Sequence, residues 1–219
     1  MAEVHLTIGD LMPSIFSETA PLYWTANLPA IPLIAAAKRP AIAGWQIYSD
    51  RLPSTDDQRN WMSAFASGNI GLPMGPASEL VAIDIDTDDA AINAALDRIL
   101  PASPWHRMDR KGRVQIYRWS GERTARIKDE NGNMICEILS KGTQIVLPPS
   151  IHPDTRQPYT ANGNLWEIAS TALPLPTDFE RVLKEALRNA GIAISSGNRM
   201  KTLDFVPAGA RNNKMVSMA

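Results

Sequence analysis

The chain has 219 residues, 44% of them hydrophobic, and a net charge of −1. That is enough apolar material for a full core, and too even a charge balance for a protein that coats DNA by bulk electrostatics. A single cysteine, Cys136, excludes an internal disulfide and a cysteine-based zinc cluster, and fits a reducing, cytoplasmic setting. No membrane span is expected, because the apolar stretch 30–37 is short, contains Pro32 and stops at Lys38-Arg39. The first residues carry acids rather than the basic-then-apolar pattern of a secretion signal.

In chain order, residues 15–28 read as a helix with Leu22, Tyr23 and Ala26 on one face, leading into an apolar strand over 31–36. Lys38-Arg39-Pro40 and the turn Gly44-Trp45-Gln46 follow. Ser54 and Thr55 open a second helix through Trp61 and Phe65, which Ser67-Gly68-Asn69 ends. Residues 69–75 read as a glycine-bearing loop in which backbone can approach a ligand closely.

Residues 80–86, Leu-Val-Ala-Ile-Asp-Ile-Asp, are the most informative run. As a strand they put Asp84 and Asp86 on the face of Leu80 and Ala82, with Val81, Ile83 and Ile85 on the other. Two acids on one rigid face call for a cation, and a divalent metal set against a nucleotide's phosphates is the plainest choice. Asp88 and Asp89 read instead as caps of the helix that follows, over Ala91, Ile92, Ala95, Leu96 and Ile99. A calcium loop fails at its sixth position, Asp89, and its twelfth, Ala95.

Between residues 107 and 128 the bases Arg107, Arg110, Lys111, Arg113, Arg118, Arg123, Arg126 and Lys128 face only Asp109 and Glu122. This is either a solvated surface or a phosphate-contacting wall beside the acids. The alternation over 113–119 puts Val114 and Ile116 on one face and Arg113, Gln115 and Tyr117 on the other. Residues 134–139 alternate likewise and, with 143–147 returning after Ser140-Lys141-Gly142, read as a hairpin. Glu137 then stands between Ile135 and Leu139, where it needs a metal or an ion-pair partner such as Lys141. Pro148-Pro149-Ser150-Ile151-His152-Pro153 breaks the sheet, and Thr177 with Glu180 reads as a capping box for a last helix closed by Gly191. The mixture of elements predicts an α+β fold. Residues 192–219 read as a linker followed by a helix start too short to bury its own apolar face.

Taken together, Lys38-Arg39-Pro40 with Gly44-Trp45-Gln46, Asn69-Ile70-Gly71-Leu72, the 80–86 strand, Glu137-Ile138-Leu139-Ser140-Lys141-Gly142, and the 148–155 loop with Pro158-Tyr159 resemble one family. It is the bifunctional DNA primase/polymerase domain of the archaeo-eukaryotic primase superfamily, and the resemblance spans residues 20–190. It implies an RRM-like catalytic core of mixed or antiparallel sheets flanked by helices, over residues 1–191. It also implies two-metal nucleotidyl transfer with Mg²⁺ or Mn²⁺, with Asp84, Asp86 and Glu137 as the catalytic, metal-binding acids. The family has a histidine against the incoming nucleotide's phosphates, and this chain offers Gln115 at that place. Arg113, Lys111 and Arg118 are expected to supply the charge instead, with Lys38, Ser150 and His152 as further nucleotide contacts. A different placement assigns the family's Ser-x-His to Ser150 and His152, with Glu167 as the third acid, and Trp45, Tyr117 or Trp119 are candidates for base stacking.

The partners so implied are NTP or dNTP, a single-stranded DNA template and a primer. The segment Gly209-Ala210-Arg211-Asn212-Asn213 is similar to the start of a C-terminal helical primase domain, often followed by a helicase, which would make residues 192–219 a linker and a truncated start of that domain. The activity implied is template-directed priming and polymerisation in the replication of a mobile element or phage. Two alternatives stay open: a non-catalytic nucleotide- and nucleic-acid-binding replication-initiation module, and a metal-dependent phosphohydrolase using the same acids.

Overall fold

Phe16, Ala20 and Tyr23, buried at helical spacing, hold the first helix, α1 (Ile15–Thr25), against a three-stranded sheet in the computed structural model, which describes residues 14–108 and 111–195. That sheet runs in the order β1 (Ile31–Leu33), β2 (Asn69–Pro73), β8 (Gln144–Leu147). A six-stranded sheet has the order β6 (Ala125–Lys128), β7 (Met134–Leu139), β3 (Leu80–Ile85), β5 (Arg113–Arg118), β4 (His106–Met108), β9 (Thr160–Ala161). Every strand pairing in both sheets is antiparallel. The remaining helices are α2 (Thr55–Ala64), α3 (Ala90–Asp97), α4 (Leu165–Ile168) and α5 (Phe179–Asn189), which makes the fold α+β as expected.

Both faces of the six-stranded sheet are covered. Leu80, Ala82, Val114 and Ile116 share one core with Leu33, Ile70, Leu72 and Leu147 of the smaller sheet and with α1. Val81, Ile83, Ile85, Tyr117 and Ile138 share a second core with Leu96 of α3 and with Phe179, Leu183 and Leu187 of α5. This double coverage is why β3 is apolar at every position before Asp84. Each fully buried isoleucine or valine in it contributes about 1.5–3 kcal/mol.

Local signals predicted some termini well. Ser54 caps α2 in a capping box with Asp57, and the Asp89 carboxylate accepts from the Ala91 and Ile92 amides at the start of α3. Elsewhere the structure departs from expectation. Leu22 is exposed, because α1 turns Phe16, Ala20 and Tyr23 inward. The strand expected over 31–36 ends at Leu33, where the chain turns back so that Ile34 bonds to Arg39 and Ala36 adopts a left-handed conformation. Residues 69–73 are the buried middle strand of a sheet rather than a ligand loop. A Cβ at Gly71 would fall 2.7 Å from both Leu33 Cδ2 and Gln144 Oε1, so any larger residue there must displace those side chains.

Strands β7 and β8 do not form a hairpin. After Ser140–Gly142 the chain crosses to the other sheet, where β8 pairs with β2, and Ser49 Oγ accepting from the Gly142 amide pins the crossing. The capping box expected at Thr177 and Glu180 is absent, since Asp178 takes the cap position in a left-handed conformation and Glu180 pairs with Lys184 at 2.5 Å. Residues 192–195 are not a free linker. Ile192 and Ile194 pack on the second core, and Ile194 bridges to Asp129 while the Ser195 amide donates to the Lys128 carbonyl. The Gly209–Asn213 resemblance lies outside the described residues.

Candidate functional site

One register row crosses all six strands of the larger sheet. Arg126 on β6 pairs with Glu137 on β7, Glu137 with Asp84 on β3, Asp84 with Val114 on β5, Val114 with Arg107 on β4, and Arg107 with Ala161 on β9. Directly paired residues share a face, so two carboxylates stand side by side in the middle of the row with an arginine to either side. This is the face that looks toward the smaller sheet, and Asp84, half-buried, marks where the apolar core gives way to polar groups. Asp86 lies one residue past β3, exposed, with its amide bonded to the Ile135 carbonyl at 3.0 Å. Alternation keeps it on the Asp84 side.

The Glu137 carboxylate accepts from Arg126 Nε at 2.5 Å, its side chain being 22% exposed against 57% for Arg126. Lys141, the partner that sequence proximity suggested, bonds Asp50 instead at 2.7 Å. Beneath the acids lies Cys136. Burial pushes its thiol up to about 12, and the negative charges of Asp84 and Glu137 add to the rise.

On the other side of the row, Arg107 is 3% exposed, an extreme value for a cation. Its Nη1 donates to the Val146 carbonyl on β8, and its guanidinium lies 4.4 Å from the centroid of the Tyr159 ring. Tyr159 in turn sits 5.1 Å from the His152 ring, whose Nδ1 accepts from the Asp154 and Thr155 amides. His152 is therefore joined to the acid-bearing face through Tyr159 and Arg107. Fully buried Asn69 ties this region together, because Nδ2 donates to Ala37 and Ile151 while Oδ1 accepts from the Ile151 amide. It staples the turn that carries Lys38 to the loop that carries His152. Lys38 itself is exposed, its carbonyl held by Gln144 Nε2. Ser150 is buried with Oγ accepting from the Ile70 amide, which makes it part of the loop's frame.

Other residues singled out in the sequence stand elsewhere. Arg113 and Gln115 pair with Ile85 and Ile83, so they lie on the helix-covered face, opposite Asp84. There Arg113 donates to Gln115 Oε1 at 3.2 Å and Asn93 Oδ1 at 2.9 Å and forms an ion pair with Asp97 of α3. The residue beside Asp84 on β5 is Val114. Arg118 pairs with Leu80, four residues or about 13 Å along β3 from Asp84. Tyr117 is buried in the second core, and Trp119 donates to Ser140 Oγ, so both are structural. Lys111 is exposed in the turn before β5, next to Gly112. That glycine has φ +64, and a Cβ on it would meet the Ile85 carbonyl oxygen at 1.8 Å, so the turn presses on the end of β3 beside Asp86. Glu167 bonds Asn164 at the start of α4.

A cavity of about 990 Å³ lies on the helical side, between the 120–123 turn and Phe179, Lys184 and Arg188 of α5. It does not open on the acids, because Ile138, which lines it, faces away from Glu137. The sequence named Arg107 and Arg126 only within the basic run, and Tyr159 only within the Pro158-Tyr159 motif. Only the pairing of β6 with β7 sets Arg126 beside Glu137, and only that of β4 with β5 puts Arg107 in the same row beyond Val114.

Three carboxylates on one face are hard oxygen donors, the chemistry that suits Mg²⁺ or Mn²⁺. Among the described residues, though, no group of three or more His, Cys, Asp or Glu side chains is gathered so as to hold a metal ion. Glu137 is engaged by Arg126, and Asp86 points from beyond the strand end.

The α+β fold thus sets Glu137 of β7 and Asp84 of β3 side by side, with Arg126 and Arg107 in the same row. The family model described as bifunctional DNA primase/polymerase, N-terminal, matches residues 20–177, which contain Asp84, Asp86 and Glu137, and the chain belongs to that family. Its members are generally nucleotidyltransferases that depend on divalent metals. No curated protein matches the chain. Among the described residues no helix is long and apolar enough to cross a membrane.

Proposed function

We propose that this chain is a template-directed DNA primase/polymerase that joins nucleotides to a 3′-hydroxyl in the replication of a mobile element or phage. The observation that carries the reading is the pairing of Asp84 with Glu137 inside the matched residues, with Asp86 on the same side. In this reading Asp84, Asp86 and Glu137 hold two divalent ions, Mg²⁺ or Mn²⁺. Bound there, such ions supply the positive charge that activates the primer hydroxyl and offsets the triphosphate.

The chain's own residues divide the remaining work. The rigid β3–β7 pair fixes the spacing of the acids, the apolar floor of Ala82, Val114 and Ile116 excludes water from below, and Arg126 and the exposed Lys38 and Lys111 supply charge to the phosphates. His152 sits behind the site and holds its loop in place. NTP or dNTP, template and primer are the ligands, and a helical or helicase domain is the expected partner in priming, in a cytoplasmic setting.

A second reading, a binding module without turnover, draws on Val114 standing beside Asp84 and on the Arg126 pairing of Glu137. Incubation with a primed template, labelled dNTP and Mn²⁺ separates the two. Extension that disappears in Asp84→Asn supports the polymerase, retained binding without extension supports the module, and nucleotide loss without extension indicates a phosphohydrolase.

A further inference from the structure

The two arginines of the acid row are held very differently. Arg107 is buried and committed to the Val146 carbonyl and the Tyr159 ring. Arg126 is more than half exposed and holds the third acid through Nε to Glu137 Oε1 at 2.5 Å. Its strand is nevertheless anchored. The register shifts just after it, between Ile127 and Lys128, and Ser195 bonds the Lys128 carbonyl along the outer edge. A bulge of this kind re-aims the neighbouring side chains, and here the anchored backbone carries a side chain that is more than half exposed at the edge of the sheet.

We propose that Arg126 is a positioning residue that competes with the divalent cation for Glu137 and, once displaced, meets the nucleotide's triphosphate. This rests on the reading of Asp84, Asp86 and Glu137 as cation ligands. Two carboxylates in direct register repel each other, and positive charge beside either of them eases that repulsion. Arg126 supplies it at Glu137 until a divalent ion with higher charge density takes its place. The guanidinium then stands at the rim of the site with its donors unspent, in reach of anionic oxygens.

The two roles have opposite signs, which a purely structural role would not produce. Mn²⁺ binding to the full chain is measured by electron paramagnetic resonance, and dNTP binding by fluorescence anisotropy with Mn²⁺ present. Arg126→Ala should bind Mn²⁺ up to about fivefold more tightly, the range expected from removing a partly exposed ion pair, and dNTP more weakly by a similar factor. Arg126→Lys should stay near the wild type on both, and Glu137→Gln should abolish the gain when combined with Arg126→Ala. Arg126→Gln repeats the test if circular dichroism shows the alanine variant to be misfolded. Mn²⁺ affinity unchanged or weaker in the neutral variants, with the wild type binding normally, overturns this inference alone. Failure of folded wild type and variants alike to bind Mn²⁺ overturns the functional reading and this inference with it.

Discussion

Asp84 and Glu137 stand directly opposite each other on β3 and β7, sharing one rung of the central sheet. At that position Cβ atoms are about 4.5–5.5 Å apart, and like charges there destabilise a sheet. The arrangement costs stability, and the fold carries it between β7 and β3, the latter buried at every position except Asp84.

It follows that Asp84→Asn should leave thermal stability unchanged or raise it, while lowering primer extension by about 10²-fold or more if the carboxylate serves catalysis. Scanning calorimetry beside a primer-extension assay checks both halves. A variant that loses several degrees of Tm and keeps its activity would mark Asp84 as a structural acid.

Arg113→Ala should behave in the reverse way. Its side chain, 19% exposed, bonds Asn93 and Asp97 on α3, on the face opposite Asp84. Removing it should cost about 1–2 kcal/mol in urea unfolding and leave the dNTP dissociation constant unchanged. A selective loss of nucleotide affinity with full stability would contradict the observed face.

Asn69→Ala removes a fully buried amide that makes three hydrogen bonds between two loops. Leaving the Ala37 and Ile151 groups unpaired should cost about 2–4 kcal/mol. Because the same bonds tie the turn bearing Lys38 to the loop bearing His152, hydrogen exchange should quicken in both segments at once. Exchange confined to one loop would show that the two are held independently.

Cys136 provides a test by pH. Burial first, then the charges of Asp84 and Glu137, raise its thiol from 9.0 to about 12. Below pH 9 the thiol is protonated in both states and costs nothing. Above pH 9 the unfolded chain loses this proton first, so the thiol's contribution to stability falls progressively as pH rises toward 12. Urea midpoints measured from pH 8 to 10.5 should decline less steeply in Cys136→Ala than in the wild type. Equal slopes would mean the thiol ionises as readily folded as unfolded.

The residue order alone determined several features of this molecule. Strand alternation put Asp84 and Asp86 on the face of Leu80 and Ala82, and short-range chemistry placed the caps Ser54 and Asp89, because these depend only on neighbours within a few positions. The motif order was also enough to indicate the primase/polymerase family that the family model matches.

What the tertiary structure decided is which strand lies beside which, and which layer each face meets. Alternation separates the two faces of β5 but does not say which one Asp84 shares, and both faces are buried, so apolarity gave no clue. Arg113 and Gln115 therefore fell on the helical side, and Val114 beside the acid. In the same way 140–142 has the composition of a hairpin turn, yet the chain there crosses between sheets, because β8 completes the buried pairing of β2 while β7 already has β3 and β6 at its sides. Arg126 came beside Glu137, and Arg107 into the same row beyond Val114, only through strand pairing, since register is a property of contacts between distant segments and leaves no trace in either segment alone.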